Sequence, residues 1–423
     1  MNFKGKKLLI LAGQSVHNKV VRAAKEMGVY TIVTDYLPIE KSPAKQLADE
    51  AWMLNITDVD GIAKRCIEEN VDGVLNFCCD PAQKPYYEIC NRLNLPCIGT
   101  KESFSILTDK IKFKDYCIKH EVDVIPEYNI DDIQFDRVQY PVLVKPSDSR
   151  GSRGQTICYT KAEALKAVDV AKKESSCSEF ICEKYMGKYQ DIASAFFCVD
   201  GEPYLVKFGD RYLGRKEDNL DRQVMCTKLP SDSSDLFESF ALGSVKKMIK
   251  SLGIKYGPVF LQGFVDGNTI RYYDPGERMP GGDYDLVLEK ATGFSTVCSM
   301  IHFALTGDIK YSAGDPNQCY RLNGKTALLL TVSVRPGKID KILGFDDVCK
   351  LPYVIYGRQN VSEGAVIPNT GDVAQRVAAF GLLINKGDDI TKCTEYIYET
   401  YRVLDKDGNN MPVSEYHYKQ VNQ

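Results

Sequence analysis

Apolar and polar positions divide the chain into stretches of two different characters. In the first hundred residues, short apolar runs alternate with helix-spaced ones. Residues 8–11 read as a buried strand, Val16, Val20, Val21, Ala24 and Met27 recur at helical spacing, and residues 30–34 read as a second strand. The pattern continues with a helix at 59–67, a strand at 71–77, a helix at 85–93 and a strand at 95–98. Strands joined by helices pack as a parallel, doubly wound sheet, and such sheets bind ligands at the carboxyl ends of their strands. That rule picks out Gly13, Asp35 and residues 76–82 as one candidate site, although each is equally an ordinary polar loop position.

Beyond Thr108 the pattern changes. A helix at 110–120 leads to an apolar run, Val142-Leu143-Val144-Lys145-Pro146, which predicts a strand ending on a lysine. A loop of small and basic residues at 147–154 separates it from a strand at 155–159, followed by a helix at 162–173 and a strand at 180–185. Further strands are predicted at 192–199 and 204–208, and a long helix at 236–252. Strands at 259–265 and 269–274 flank the turn Asp266-Gly267-Asn268, the pattern of an antiparallel hairpin. From about Gly314 the chain reads as strands at 327–334 and 338–343 and a helix at 391–403. The fold class is therefore α/β followed by α+β.

Composition narrows the function classes. A chain of 423 residues holds about two to four domains at roughly 100–200 residues each. The net charge of −3 gives no global attraction to nucleic acid or to an anionic membrane. No apolar run approaches the ~20 residues of a membrane span. The basic start is followed by so short an apolar run that it reads as a strand rather than a signal peptide. Fifteen cysteines without any C-x-x-C pair, and only four histidines, point to a reduced, cytoplasmic protein without a zinc site.

Two nucleotide motifs are absent. The turn after the first strand has the single glycine Gly13, so the G-x-G-x-x-G dinucleotide fingerprint is missing. Gly324-Lys325-Thr326 imitates a phosphate loop, but Cys319 stands where that motif needs glycine.

Three features carry candidate chemistry. The loop at 147–154 presents Ser147, Ser149, Gly151, Ser152 and Gly154, whose small side chains let backbone N–H groups approach phosphate oxygens. Lys145, Arg150 and Arg153 add positive charge, although a solvated hairpin loop has the same composition. Gln262 and Asp274, on the two strands of the hairpin, can present two oxygen ligands side by side to a magnesium ion bound to phosphates. Arg278, just beyond, can neutralise a transferring phosphoryl group.

The order of these pieces resembles the ATP-grasp superfamily, in particular its carboxylate–amine ligases and carbamoyl-phosphate-synthase-like members. Thr108-Asp109-Lys110 comes first, then the Val-Lys-Pro strand, the small-residue loop, the strand ending at Glu183 and the carboxylate hairpin. The resemblance implies a Rossmann-like pre-ATP-grasp domain over 1–105 and a two-lobed ATP-grasp fold over 106–315. The small lobe would cover about 110–184 and the large lobe about 185–315, with a C-terminal α+β domain over 316–423. It implies that Lys110 and Lys145 hold the nucleotide phosphates under a lid formed by 149–154. Glu183, Lys184 and Tyr185 would read the adenine edge at the hinge, and Asp191 would bind the ribose. Gln262 and Asp274 would hold Mg²⁺ (or Mn²⁺), with Arg278 as the catalytic arginine of a Glu-x-Asn-x-Arg run.

In that run the asparagine falls at Gly276, which has no side-chain oxygen. Glu277 turning in, water, or a single tightly held ion are the three ways to complete the metal shell. The implied reaction is ATP-dependent activation of a small-molecule carboxylate as an acyl phosphate and its capture by an amine. A bicarbonate-activating subunit of biotin carboxylase type and a nucleotide-binding protein without catalysis are the alternatives. The implied partners are small-molecule substrates, without nucleic acid or membrane, and the implied assembly is a homodimer. Arg211, Arg215, Arg222 and the turn at 280–285 are candidates for substrate recognition.

Overall fold

The computed structural model describes residues 3–147, 154–175, 177–309 and 314–418. The N-terminal sheet contains β1 (Lys7–Leu11), β2 (Tyr30–Thr34), β3 (Glu50–Trp52) and β4 (Gly73–Leu75) in the order β3-β2-β1-β4, all parallel. The strand expected at 95–98 is not formed, because Pro96 has no N–H to donate to a ladder. Ile98 instead donates its N–H to the Tyr86 hydroxyl at 3.2 Å, and the chain enters the helix Lys101–Leu107 through a Thr100 cap. The outer strand β3 was not anticipated: three residues are too few to show a period. A helix from far along the chain, Thr296–Thr306, covers this sheet so closely that a Cβ at Gly73 would lie 2.3 Å from the Ala304 carbonyl oxygen.

The second sheet is small and antiparallel: β5 (Val142–Pro146) lies between β6 (Thr156–Cys158) and β7 (Phe180–Lys184). Val142 and Val144 pack with Ala164, Ala167, Val168 and Ala171, four residues of the covering helix Lys161–Glu174. Alternation along β5 therefore turns Leu143 and Lys145 to the opposite face.

The third sheet has nine strands. Its first part comprises β8 (Asp191–Val199), β9 (Glu202–Leu213), β10 (Val224–Leu229), β11 (Gly257–Asp266) and β12 (Thr269–Gly276). The C-terminal third holds β13 (Thr326–Val334), β14 (Gly337–Lys338), β15 (Lys341–Leu343), β16 (Val354–Gln359), β17 (Val366–Ile367), β18 (Arg376–Ile384), β19 (Arg402–Leu404) and β20 (Pro412–Val413), of which β13, β16, β18 and β20 join this sheet. The order is β12-β11-β8-β9-β10-β13-β18-β16, with β20 on β13, so the sheet continues from the central into the C-terminal third without a break. β14 pairs with β17 and β15 with β19 in two short ladders.

The single helix expected at 236–252 is two helices, Ser234–Phe240 and Leu242–Ser251, bent at Ala241. Phe237 anchors the first, stacked on Phe208, while Val245, Met248 and Ile249 bury the second. Gly243, a weak helix former, follows the bend. The helices Tyr284–Thr292 and Thr296–Thr306 were also missed; the second is almost wholly buried and lacks a polar face to reveal its period. Among the described residues no helix is long and apolar enough to cross a membrane.

Candidate functional site

The site is built between the small sheet and one face of the nine-stranded sheet. Asp109 caps the helix Lys110–Lys119 by accepting from the N–H groups of Ile111 and Lys112, which fixes Lys110 at the first helical position. The Lys110 ammonium then lies 3.5 Å from Asp274 on β12. On the small sheet, Glu183 pairs across from Leu143, so its carboxylate shares a face with Lys145 and meets that ammonium at 2.5 Å. The Lys145 ammonium in turn stands 5.8 Å from the ring centre of Tyr273, between Tyr272 and Asp274 on β12.

Lys114, one helical turn after Lys110, was missed in the sequence. It reaches Glu183 at 2.6 Å and also pairs with Glu127. Its four-residue spacing from Lys110 was the available signal. Burial opposes ionisation of Glu183, but Lys145 and Lys114 outweigh it and hold the carboxyl down to about 2. Lys145 is pushed below its usual range by burial and by the nearby Lys114 and Lys110, against the pull of Glu183. The carboxylate expected to read adenine is thus engaged by two lysines, and Glu183 organises the cation cluster.

The metal pair is brought together. Gln262 and Asp274 are direct cross-strand partners on β11 and β12, so both side chains leave the same face. The Tyr273 hydroxyl donates to the Gln262 amide oxygen at 3.1 Å and receives a hydrogen bond from Arg211 at 3.1 Å. Arg211 also pairs with Asp191 at 3.1 Å. Burial raises the Asp191 carboxyl to about 6, with Arg211 opposing and Asp274 adding to the rise. One carboxylate and one amide oxygen suit a magnesium ion that takes its other ligands from water and phosphates. Among the described residues no group of three or more His, Cys, Asp or Glu side chains converges as a self-sufficient metal site.

Glu277 is not a metal ligand. Its side chain is fully buried beneath Gly99 and Ser103, where a Cβ on Gly99 would lie 1.5 Å from a Glu277 carboxylate oxygen. Its N–H donates to Gln83 at 2.8 Å. Burial pushes the Glu277 carboxyl well above its usual range, with Ser103 opposing. The alternation of an extended backbone explains the miss: Gly276 follows the outward Asp274 by two, and Glu277 falls on the opposite side.

Arg278 pairs with Asp80, donates to the Met279 carbonyl at 2.8 Å and stacks on Phe260 at 4.5 Å. The segment 76–82 therefore does reach the site, through Asp80. Gly13 and Asp35 are tied into packing instead: Asp35 is buried against Lys45 at 2.7 Å and Ser42 at 2.7 Å.

Ser149, Gly151 and Ser152, with Arg150 and Arg153, lie outside the described residues. Gly154 sits at φ +66°, where a Cβ would lie 2.2 Å from Glu174. Lys184 donates to the Tyr189 hydroxyl at 2.8 Å, and Tyr185 donates its N–H to the Pro141 carbonyl at 3.1 Å. Of the candidate arginines, Arg215 pairs with Asp218 at the surface and Arg222 is exposed, which leaves Arg211 alone in the cleft.

Residues 109–199 match the family described as "Carbamoyl-phosphate synthase L chain, ATP binding domain". That span runs from the Asp109 cap through Lys110, Lys145, Glu183 and Asp191. Over that span the chain is similar to the ATP-binding domain of carbamoyl-phosphate synthase.

The fold as a whole is shared with solved structures. Phosphoribosylglycinamide synthetase from Anaerococcus prevotii superimposes with a TM-score of 0.76 at 19% identity, covering 95% of this chain and 100% of that one. L-amino acid ligase from Bacillus licheniformis gives a TM-score of 0.76 at 16% identity, covering 95% and 99%. In sequence, biotin carboxylase 1 from Bacillus subtilis (strain 168) is 23% identical over 292 residues, 63% of each chain. The match thus spans less than two thirds of that relative.

Proposed function

We propose that this chain is an ATP- and magnesium-dependent ligase that activates a small-molecule carboxylate as an acyl phosphate and transfers the acyl group to an amine, releasing ADP and phosphate. The convergence of Lys110 and Lys145 on the Gln262–Asp274 pair carries the reading. Cations from a helix and a small sheet meet an oxygen pair from a large sheet. That is the charge pattern a polyphosphate with a bound metal requires.

In this reading Lys110 and Lys145 hold the nucleotide phosphates. At an effective dielectric near 20, an ammonium about 4 Å from a phosphate charge gains about 4 kcal/mol before desolvation is subtracted. Glu183 and Lys114 position Lys145, and Arg211 with Tyr273 positions Gln262. Gln262 and Asp274 would hold the magnesium ion, which neutralises phosphate charge during transfer. Arg278, fixed by Asp80 and Phe260, faces the forming acyl phosphate. Closure between the lobes would keep water from that intermediate. The lid at 149–154, the adenine contacts of Lys184 and Tyr185 and the ribose contact of Asp191 belong to the same proposal. So do a homodimeric assembly and a cytoplasmic setting, the latter supported by fifteen cysteines that are all free thiols.

ADP release measured against a panel of carboxylic acids crossed with amino acids, with and without Mg²⁺, tests this reading. ADP release that requires an acid, an amine and Mg²⁺ supports it. Release driven by bicarbonate alone, or tight ATP binding with no turnover, contradicts it.

A further inference from the structure

One buried ammonium on the cleft face of the nine-stranded sheet has no part in holding the nucleotide. Strand register sets Lys207 of β9 in one row with Ala195 of β8, Phe260 of β11 and Gly276 of β12. The next row holds Gly209, Ala193, Gln262 and Asp274 on the same strands. Residues two apart on a strand share a face, so Lys207 stands on the face of the Gln262–Asp274 pair. Ala195, Ala193 and Gly209 lie between them, and none carries more than a methyl group.

Contacts tie Lys207 to Arg278, which the ligase reading sets at the forming acyl phosphate. Phe260 lies two strand steps from Lys207, about 10 Å at about 4.8 Å per step. Its ring carries the Arg278 guanidinium at 4.5 Å. From the other side, the Tyr284 ring lies 4.7 Å from the Lys207 ammonium, and the Tyr284 hydroxyl lies 3.8 Å from the Met279 sulfur. Arg278 donates to the Met279 carbonyl at 2.8 Å. Lys207 and Arg278 therefore border one short stretch of the cleft, between Tyr284 and Met279 on one side and Ala195 and Phe260 on the other.

Lys207 is only 5% exposed, and among the described residues its ammonium has no hydrogen-bond acceptor and no carboxylate in ion-pair range. The charges around it are engaged elsewhere. Arg211, on its own strand, is held by Asp191 at 3.1 Å, and Asp285, next to Tyr284, is held by Lys19 of the N-terminal domain at 2.5 Å. Burial, Arg211 and Lys19 hold the Lys207 ammonium down to about 7, against Asp285. A lysine desolvated in this way can act as a base at neutral pH. The nearby carboxylates are committed: Asp191 to Arg211, Asp80 to Arg278 and Asp274 to Lys110.

An amine reaches such a site as an ammonium ion, whose nitrogen has no lone pair to offer. We propose that Lys207 is the general base that takes a proton from the acceptor amine. The inference rests on the ligase reading and names the group that serves its second half-reaction. Lys207, entering as the neutral amine, accepts one proton from the ammonium substrate. The freed nitrogen lone pair forms the C–N bond at the acyl carbon, and the C–O bond to phosphate breaks with its electron pair on the phosphate oxygen. A second N–H proton leaves with that oxygen as hydrogen phosphate, and the third stays on the amide nitrogen.

The test compares two kinds of acceptor on the full chain with MgATP and a panel of carboxylic acids. Hydroxylamine is unprotonated at neutral pH and captures an acyl phosphate as its hydroxamate without help from a base. Ammonia and the amino acids arrive as ammonium groups. Lys207→Met should retain hydroxamate formation, which also shows that it folds, and should lose roughly 10²-fold or more in kcat for ligation. The parent's ligation rate should rise through about pH 7, and Lys207→Met should lack that rise and recover only at alkaline pH, where the amine loses its proton unaided. Lys207→Arg keeps the positive charge but does not give up its proton, and should fail like Lys207→Met.

Ligation that survives in either variant, or a loss of hydroxamate equal to the loss of ligation, overturns the base. So does hydroxamate formation in the parent with no ligation to any amine offered. Where Lys207→Met does not bind MgADP, Lys207→Arg and the parent's pH profile decide, and a profile flat through about pH 7 overturns the base. No hydroxamate and no ADP with any acid sinks the ligase reading itself, and the base falls with it.

Discussion

The ring of Phe260 fills the space that a side chain at position 276 would need. A Cβ on Gly276 would lie 2.1 Å from the ring, and the opposing strands β11 and β12 pair these two residues directly. The same ring supports the Arg278 guanidinium at 4.5 Å. The glycine that replaces the family's asparagine is thus matched by an aromatic on the neighbouring strand. With Glu277 buried on the other side, the side-chain oxygens at this end of the cleft that the proposed metal would take are those of Gln262 and Asp274.

Gly276→Asn should therefore not restore a metal ligand. It should destabilise the fold by about 1–3 kcal/mol, the usual cost of overpacking a well-filled core. Phe260→Ala in the same chain should recover part of that loss, which denaturant titration of the single and double variants measures.

Asp274→Asn removes the single carboxylate of the metal pair. Half-saturation by Mg²⁺ should move upward by at least tenfold, read from the metal dependence of ADP release. The Lys110 ammonium, 3.5 Å from Asp274, should not compensate.

In the proposed site Lys145 touches phosphate and Glu183 positions Lys145. Lys145→Ala should lower kcat by roughly 10²–10³, the scale for losing one stabilising donor. Glu183→Ala leaves Lys145 and Lys114 facing each other without their shared anion. Breaking a buried pair in this way costs about 3–5 kcal/mol. Glu183→Ala should thus lower the unfolding midpoint and kcat together, instead of altering KM for ATP alone. Parallel thermal melts and kinetics distinguish the two substitutions.

Acid stability should depend on His17. Burial, with Lys19 adding and the backbone and Asp35 opposing, lowers the imidazole from 6.5 to about 4. Between those two values the unfolded chain binds the proton and the folded one does not. Stability from this group is complete above pH 6.5 and is lost as pH falls towards 4, on the order of 3 kcal/mol in total. Urea unfolding at pH 7 and pH 4.5 should show that slope in the parent chain and a flatter one in His17→Leu.

The parallel N-terminal sheet, the small antiparallel sheet and the carboxylate hairpin were legible because each has a strict period and clear turn chemistry. The asparagine-less run was legible as well, since it is local in sequence. What stayed hidden depends on pairing across the fold. Lys114 matters through Glu183, and Asp80 through Arg278. The surroundings of Glu277 and Glu183 were hidden for the same reason: the first is buried in the core and the second is held by two lysines. Spacing placed them near the site, but only the sheet register decides which face each one takes.

A crystal structure of the chain with Mg²⁺ and a non-hydrolysable ATP analogue tests the central claim most directly. The account predicts the β- and γ-phosphates within about 3 Å of the Lys110 and Lys145 ammonium groups, and the metal on Asp274, as charge-assisted contacts require. Density for the triphosphate elsewhere, with these three side chains keeping their present partners, would contradict it.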